Sequence, residues 1–396
     1  MKMEEWKECR LGDYCDFQNG YAFKSSEFKT NGEYKIVKIK ELKDGLVKFF
    51  DDSASVDIHD IKEFEKYKIY RNDVLFALTG DPVSKPNPLS WVGRVSIYRS
   101  DESALLNQRT CKIKKSDEID NQFLYYYFRQ WENFYALASK ATGSASQANI
   151  STNTIADTII KLPPLPTQQK IARILSSLDD KIELNNKINT NLEQQAGVLF
   201  KNWFVDFEPF GGKMPEGWKV GTVSEIITLH DSKRIPLSSQ QREKMKKKYP
   251  YYGATSLMDY VDNYLFDGIF LLLGEDGTVV DSEGFPILQY VEGKFWVNNH
   301  AHILTGKNGF SVEMLYLLFS LTNVKDKVTG AVQQKISQGN LNSITTIIPP
   351  EEVCKKFDLL IQPLFAQIRN LKQENDRLSE LRDTLLPKLM NGEILI

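Results

Sequence analysis

The feature of this sequence that most restricts its possible folds is an internal repeat. A polar loop is followed by Leu-Pro-Pro at 162–164 and a long helical pattern, and a similar loop is followed by Ile-Pro-Pro at 348–350 and a second helical pattern. Pro349 lies 186 residues after Pro163 (349 minus 163), and at this offset the two helical patterns align without a gap. Self-similarity at a fixed offset indicates a repeated architecture. The chain is therefore predicted to run as domain, helix, domain, helix.

The two Pro-Pro pairs and a later Gly-Gly pair set the boundaries of these segments. In both domains, short β-rich runs with turn signals precede a helical stretch. The predicted fold class is α+β, with two pseudo-repeated α/β domains separated by two long helices and a mostly antiparallel sheet in each domain. We expect a first domain at 1–165, a central helical region at 166–212, a second domain at 213–350 and a C-terminal helical region at 351–396.

Both helical regions carry apolar residues at alternating steps of four and three, which is the seam of a coiled coil. Asn185 and Asn189 interrupt the first seam and Asn375 interrupts the second. Each helix would span roughly 55–60 Å at about 1.5 Å per residue. We expect the seams to pack together as an antiparallel coiled coil, and two separate core helices are the alternative. Pro363 lies inside the second pattern, so a kink or a late helix start is expected there.

Composition excludes several classes of protein. The formal net charge of −2 gives no global attraction to nucleic acid, so a DNA surface requires local clusters of Lys and Arg. The four cysteines are scattered, which argues against a zinc site and for free thiols in a reducing compartment. The apolar runs are too short to cross a bilayer. We therefore expect a cytoplasmic protein with no membrane partner.

The motifs that mark common enzymes are missing. The sequence lacks a phosphate-binding Gly-x-x-x-x-Gly-Lys-Ser/Thr loop. Asn87-Pro88-Leu89 departs from the motif of adenine methyltransferases at its last two positions. Asp281 with Glu292 and Lys294 loosely resembles a nuclease site, but the first half has no counterpart. We expect no catalytic site and no cofactor in this chain.

The polar loops before each Pro-Pro pair are the first candidate for contact with DNA. Both loops contain glycine, which lets the backbone approach a phosphate, and glutamine, which pairs bidentately with adenine. An ordinary solvated loop is the alternative reading of either copy. The candidate DNA-binding residues in the loops are Thr142, Ser144, Gln147, Gln333, Gln334 and Lys335.

Basic and histidine residues supply the remaining candidates. A Lys-rich stretch in the second half predicts a track for phosphates, with a solvated surface as the alternative. His300 and His302 alternate along an expected strand, so that both would point to one face, where base reading fits better than metal binding without a third ligand. Arg109 occupies the corresponding place in the first half. The remaining candidate DNA-binding residues are Lys24, Ser25, Arg109, Lys233, Arg234, Arg242, Lys244, Lys247, His300 and His302.

Several of these segments resemble one known family, the specificity subunits of type I restriction-modification systems. The similar segments have the same order along most of the chain, although Gln108-Arg109 stands where the second half has Asn-His. They are Asn19–Ser25, Leu162–Ala172, Tyr251–Ala254, Val297–His302, the Thr-Gly-Ala loop at 329 and Leu381–Ile394.

This resemblance implies a bipartite, asymmetric target in double-stranded DNA. Each domain would be a target recognition domain that reads one half-site, and the helices would set the unread spacer. Antiparallel helices suit two major-groove faces about one turn, or ~34 Å, apart. Two modification subunits would methylate adenine and restriction subunits would cut, so S-adenosylmethionine, ATP and magnesium would bind those partners. The alternatives are a nuclease or methyltransferase that acts alone at a bipartite site, and a coiled-coil scaffold that binds no DNA.

Overall fold

The computed structural model describes residues 6–114, 117–330 and 333–394. The chain divides into two compact units, which are Met1–Ile182 with Asp376–Ile396, and Glu183–Asn375. The boundary between the units falls inside both long helices, so each unit contains a part of each helix.

The first unit contains short strands, three short helices and the beginning of a long helix. The strands are β1 (Lys7–Arg10), β2 (Phe17–Asn19), β3 (Tyr34–Val37), β4 (Leu42–Lys43), β5 (Leu46–Val47), β6 (Ser55–Val56), β7 (Lys68–Ile69), β8 (Val74–Ala77), β9 (Thr79–Gly80), β10 (Val95–Ile97), β11 (Ala104–Leu106), β12 (Thr110–Ile113), β13 (Thr142–Gly143), β14 (Ala148–Asn149) and β15 (Ile159–Leu162). The helices are α1 (Asn121–Arg129), α2 (Trp131–Ala138), α3 (Thr152–Ala156) and the long helix α4 (Leu165–Phe204).

The second unit repeats this organisation with longer strands. The strands are β16 (Lys219–Thr222), β17 (Ile227–Leu229), β18 (Tyr249–Tyr252), β19 (Leu257–Val261), β20 (Phe266–Gly274), β21 (Asp276–Gly277), β22 (Leu288–Val297), β23 (Ala301–Gly306), β24 (Gln334–Lys335) and β25 (Thr345–Ile348). The helices are α5 (Ser239–Glu243), α6 (Val312–Ser320), α7 (Gln338–Asn342) and the long helix α8 (Glu351–Met390).

The main sheets of the two units share the arrangement of their first four strands. The first has the order β2-β12-β8-β10-β5-β4, and a neighbouring sheet has the order β6-β3-β11-β7. The second has the order β17-β23-β20-β22-β18-β19. In the second unit, β22 pairs antiparallel with β20 and parallel with β18. In the first unit, two strands make these pairings, since β10 pairs antiparallel with β8 and β11 pairs parallel with β3. The prediction of a mixed α+β fold with mostly antiparallel pairing is confirmed.

A helix covers each main sheet and completes its core. Every residue of Val74–Ala77 is buried, as expected for a central strand whose sequence is an unbroken apolar run. Helix α1 packs its buried aromatic residues on this strand, and Asp120 caps the helix by accepting a hydrogen bond from Phe123 N at 2.9 Å. Ser311 caps α6 in the same manner.

Hydrogen bonding fixes the correspondence between the repeats more closely than the sequence does. Ala77 pairs with Thr110 and Gly274 pairs with Ala301, and each partner lies three residues after a buried asparagine, Asn107 or Asn298. Ala77 therefore corresponds to Gly274, whereas the sequence pattern alone aligns the similar runs 73–80 and 267–274 and so places Gly80 there. That alignment is wrong by three residues, because two apolar runs match in several registers and only their pairing partners distinguish them.

The long helices start where the sequence predicts. Helix α4 begins at Leu165 and α8 at Glu351, each directly after its Pro-Pro pair. The predicted late start at Pro363 does not occur, since α8 is continuous through this residue. A proline inside a helix leaves the carbonyl oxygen four residues earlier without its helical hydrogen bond, which here is that of Leu359. Leu359 and Leu360 are exposed.

In the first unit, the end of α8 packs against the beginning of α4. Leu386 and Leu389 share a buried cluster with Ile171 and Leu175. Next to this cluster, an Arg382 guanidinium nitrogen donates to an Asp179 carboxylate oxygen at 2.7 Å. Late residues of one helix meet early residues of the other, so the paired segments are antiparallel.

In the second unit, the beginning of α8 packs against the end of α4. The ring of Phe357 lies 4.8 Å from that of Phe204, measured between centroids. Closer to the middle of both helices, the seam asparagines meet, and Asn185 Nδ2 donates to Asn375 Oδ1 at 2.9 Å. The direction is again antiparallel, which confirms the predicted coiled-coil packing within each unit.

Among the described residues, no helix is both long enough and apolar enough to span a membrane.

Candidate nucleic-acid interface

The predicted polar loop of the first unit is held by a small three-stranded sheet. Strand β14 pairs with β9 on one side and with β13 on the other. The segment 142–147 between them is exposed, and Ser144 N donates to Gln147 O at 2.9 Å to close a tight hairpin. Gly143 has a φ of +151°, and a Cβ atom there would lie 2.2 Å from Gln147 O. Only glycine fits this hairpin.

Arg109 joins this loop although it is distant in sequence. Arg109 Nη1 lies 3.2 Å from Thr79 Oγ1 and 3.4 Å from Asn149 Oδ1. Thr79 donates to the same Asn149 oxygen at 2.8 Å, and Gln147 Nε2 approaches it to 3.5 Å. The structure therefore brings the predicted residues Arg109 and Gln147 together around Asn149.

The polar loop of the second unit has the same support. Strand β24 pairs with β21, and Thr329 and Lys335 exchange two backbone hydrogen bonds of 2.8 Å. Gly330 has a φ of +89°, and a Cβ atom there would lie 2.0 Å from Gln333 O. Gln333, Gln334 and Lys335 are exposed, and residues 331–332 lie outside the described residues.

Two backbone hydrogen bonds connect three separate segments in the same way in both units. They are Leu78 N to Arg109 O and Ile150 N to Leu78 O in the first unit, and Glu275 N to His300 O and Ile336 N to Glu275 O in the second. The side chains on this shared framework differ. Where the first unit has Arg109, Thr79 and Asn149, the second has His300, Asp276 and Lys335. His300 Nδ1 lies 3.5 Å from Asp276 Oδ2.

His302 does not belong to the exposed surface. Its side chain is fully buried, with Nδ1 2.6 Å from Asp231 Oδ2 and Nε2 2.8 Å from Ile336 O. A carbonyl oxygen only accepts, so Nε2 carries a hydrogen. The prediction that His300 and His302 lie on one face of a strand is wrong, because β23 begins at Ala301 and His300 lies in the preceding turn. A buried His302 positions the loop and does not reach a base directly.

A cation-like position beside His302 is filled by an arginine. Ligand atoms of Asp231, Glu275 and His302 lie within 4.8 Å of one another. Arg234 Nη1 donates to Glu275 Oε2 at 2.5 Å and to Ala301 O at 2.8 Å, so a guanidinium supplies positive charge beside the buried Asp231 and the part-buried Glu275. The Arg234 side chain is only 14% exposed. The structure gives it this internal role in place of the predicted contact with phosphate.

Asp231 ties the histidine to two further segments. It accepts from Ile303 N at 2.9 Å and from Gln338 Nε2 at 2.7 Å. Burial would raise the pKa of Asp231, but hydrogen bonds from His302, Ile303 and Gln338 outweigh it and lower the pKa below its usual value. The carboxylate is therefore charged in the folded protein and holds the start of α7 beside the polar loop.

The basic cluster around α5 is partly neutralised by an acidic residue. Arg242 Nε donates to Asp259 at 3.0 Å and its side chain is 13% exposed, and Lys247 Nζ donates to the same carboxylate at 2.8 Å. Arg242 therefore fixes α5 against β19, which argues against a free phosphate contact. Lys233 and Lys244 are exposed and remain predicted contacts.

The hydrogen-bonded segments around Leu78, Arg109 and Ile150 in the first unit, and around Glu275, His300 and Ile336 in the second, form two polar ladders. Lys24 and Ser25 lie outside these ladders. Ser25 begins a short 3₁₀-helix, Ser25–Glu27, and the Lys24 backbone N donates to Glu27 Oε2 at 2.6 Å. Both residues are exposed. Their contact with DNA stays a prediction.

The structure adds residues that the sequence patterns did not single out. Asn149 and Lys335 occupy equivalent places in Asn-Ile-Ser and Lys-Ile-Ser, so the repeat itself carries a signal for Asn149. Asp231 and Gln338 carry no such signal, because their role depends on partners that are 71 and 107 residues apart along the chain.

The comparisons with known proteins agree with this picture. The model of the type I restriction modification DNA specificity domain matches residues 3–194 and again residues 215–380. The chain is 29% identical over 334 residues to the type I restriction enzyme MjaIX specificity subunit of Methanocaldococcus jannaschii, with 77% of this chain and 76% of that protein covered. It is 23% identical to the putative MjaX specificity subunit of the same organism, with 99% and 94% covered.

A solved structure shares the fold over the whole length. The crystal structure of a type I restriction-modification system S subunit from M. genitalium superposes with a TM-score of 0.58 at 19% identity, covering 98% of this chain and 97% of that chain. The names of these relatives agree with the prediction of a specificity subunit and not a catalytic one. Because the family model matches both repeats and most of the chain, this protein belongs to the family of type I restriction-modification DNA specificity subunits.

Proposed function

We propose that this chain binds double-stranded DNA at a bipartite, asymmetric sequence, with one unit for each half-site. The observation that carries this proposal is the duplicated polar ladder. The same backbone framework presents Arg109 and Gln147 in the first unit, and His300 and Lys335 in the second. A common framework with different side chains suits two unlike half-sites.

The exposed side chains match the chemistry of base edges and phosphates. Gln147 and Gln333 can pair bidentately with adenine, and Ser144 can donate to or accept from any base edge. Lys233 and Lys244 would contact phosphates, which position a protein on the duplex without reading sequence. Such contacts provide affinity that falls with salt, while the ladders provide selectivity.

The long helices are proposed to set the spacer between the half-sites and to dock the partner subunits. Two modification subunits would transfer the methyl group to adenine, after turning the base out of the duplex. Restriction subunits would join them for cleavage. S-adenosylmethionine, ATP and magnesium would bind these partners, and the complex would act in the cytoplasm, where the DNA is.

An exchange of one recognition domain tests this function. Residues 1–164, which end directly before α4, are replaced by the corresponding domain of another specificity subunit. Methylation mapping of cells that carry the hybrid with its modification subunits should show one new half-site and one unchanged half-site. The reciprocal exchange of the second domain, 213–350, is the matched control.

Two results would contradict the proposal. A change in both half-sites would show that the units do not read independently. Methylation or cutting of DNA by the purified chain alone would favour a stand-alone methyltransferase or nuclease.

A further inference from the structure

We propose that a second element, the turn directly before β12 and its counterpart before β23, presents a base-reading amide in each unit. These amides are Gln108 in the first unit and Asn299 in the second. This inference rests on the proposed function and names further side chains that determine the sequence of each half-site.

The two turns have equivalent places in the fold. Each follows a strand that pairs in parallel, β11 with β3 and β22 with β18. The next residue is a buried asparagine whose backbone N–H bonds to the parallel partner, Asn107 to Val37 O and Asn298 to Tyr252 O, both at 3.0 Å. Gln108 and Asn299 come next, at the point where each chain reverses.

The turns are rigid although their tips are exposed. In the first unit, Gln108 N donates to Tyr21 O at 2.9 Å, and Thr110 N donates to Asn107 O at 2.9 Å. In the second unit, His300 N donates to the Asn298 side-chain oxygen at 2.8 Å. A fixed backbone holds a side chain near one geometry, which is a requirement for selective hydrogen bonding.

The tips continue the polar ladders. The residues that follow Gln108 and Asn299 are Arg109 and His300, whose carbonyl oxygens hold the ladder strands in both units. Gln108 and Asn299 therefore extend the surface that carries Gln147 and Lys335, and they extend it in the same place in both units.

The chemistry of the two side chains points to bases and not to phosphates. Both are exposed, and neither amide has a hydrogen-bond partner among the residues that the structure describes. A neutral amide gives little attraction to the DNA backbone, but it offers one donor and one acceptor in a fixed spacing, which matches the major-groove edge of adenine. The Asn299 side chain is one methylene shorter than that of Gln108, so the two amides would reach different depths in the major groove.

Binding selection with the complete complex tests this inference. The chain with its modification subunits selects duplexes from a library in which both half-sites are randomised. We expect Gln108→Ala to lower discrimination at one position of the first half-site by about tenfold or more, and to leave the second half-site unchanged. Asn299→Ala should have the reverse effect. Asn31→Ala, which removes an exposed amide of the first unit outside the long helices, is the matched control and should change neither.

A second substitution protects the test against a folding defect. Gln108→Glu keeps the size of the side chain but replaces the amide with an acceptor, so the preference at that position should shift towards cytosine and not merely weaken. Retention of the second half-site in the same molecules shows that the complex is folded.

The failures are distinguishable. If the wild-type complex selects no sequence, the proposed function falls and the inference falls with it. If the wild type selects a bipartite site and both Gln108 substitutions leave every position unchanged, or change both half-sites equally, the inference alone is overturned.

Discussion

At the scale of single residues, the second unit contains a buried hydrogen bond between His302 and Asp231. His302 and Asp231 occupy the positions that Cys111 and Asn19 occupy in the first unit. The pair joins β23 to the segment after the polar loop through Ile336 O. Loss of a hydrogen bond to a buried carboxylate is more costly than the loss of an exposed pair.

We expect His302→Ala to lower the free energy of unfolding by about 1.5–3 kcal/mol, because the buried Asp231 carboxylate loses the hydrogen bond from His302. His300→Ala is the matched control, since the His300 side chain is 43% exposed and its Nδ1 lies 3.5 Å from Asp276 Oδ2. Its effect should stay below about 1 kcal/mol. Urea unfolding of both variants measures the difference, and equal effects of the two substitutions would contradict the assignment.

The acid dependence of stability follows from the lowered pKa of Asp231. A carboxyl whose pKa is lower in the folded than in the unfolded state stabilises the fold above its unfolded value of about 3.9, and loses this contribution as the pH falls through its folded value. The stability difference between wild type and Asp231→Asn should therefore be largest near neutral pH and shrink below about pH 4.

Urea unfolding at several pH values between neutrality and pH 3 would measure this dependence. Asp60→Asn serves as a control, because Asp60 is exposed at the start of a 3₁₀-helix. A difference for Asp231→Asn that does not vary with pH would show that the carboxylate charge is not the stabilising feature.

Residue patterns in the sequence predicted the polar loops but not their supports. Gln147 and Gln333 were recognisable because they lie in a repeated loop. The burial of His302 could not be predicted, because alternation places a side chain on a face only after the start of the strand is known. Arg234 reads as a basic surface residue until Glu275, 41 residues away, is seen beside it.

At the scale of elements, the seam asparagines are the polar interruptions of an apolar helix contact. Asn185 donates through its side-chain nitrogen to Glu374 and Asn375, although its oxygen has no hydrogen-bond partner among the described residues. Asn189 is 6% exposed, and its side-chain oxygen has no hydrogen-bond partner in the described part of the chain. A polar seam residue fixes the register of two helices at a cost in stability.

We expect Asn189→Leu to raise the free energy of unfolding by about 1–2 kcal/mol, since it removes a buried oxygen without a partner. Asn185→Leu is the matched variant and should give no such gain, because it leaves the Asn375 side chain without its donor. Denaturant midpoints at constant slope provide the measurement. A loss of stability in Asn189→Leu would mean that its amide is satisfied after all.

Element positions followed well from the sequence where a single strong signal existed. The Pro-Pro pairs fixed the starts of α4 and α8, because proline restricts the residue before it. The strand correspondence of the repeats was harder, since Leu, Val, Ile and Phe are interchangeable in a buried strand and only long-range pairing sets the register.

At the scale of the whole molecule, the proposed function treats the paired helices as a spacer. Removing four residues from the middle of both α4 and α8 shortens each helix by about 6 Å. Because adjacent base pairs are about 3.4 Å apart, we expect the spacer to shorten by about one or two base pairs while both half-sites stay the same. Methylation mapping would measure the spacer directly.

The control for this experiment is the same deletion in α8 alone, which puts the two seams out of register and should abolish methylation. Altered half-sites in the double deletion would contradict the spacer role. The repeat made this architecture predictable from the sequence alone, since two similar halves with equivalent helices imply two similar domains. The sequence could not predict that each compact unit takes in part of both helices, because that depends on tertiary packing.

The placement of Asp376–Ile396 in the first unit has a consequence for synthesis of the chain. Leu386, Leu389 and Met390 complete a core whose other residues are encoded before position 176. A nascent polypeptide leaves the ribosome from its amino end, so the core of the first unit lacks these three side chains until the second unit has been synthesised. A truncation before Leu386 would therefore remove core residues of the first unit, although it lies beyond the second unit in the chain.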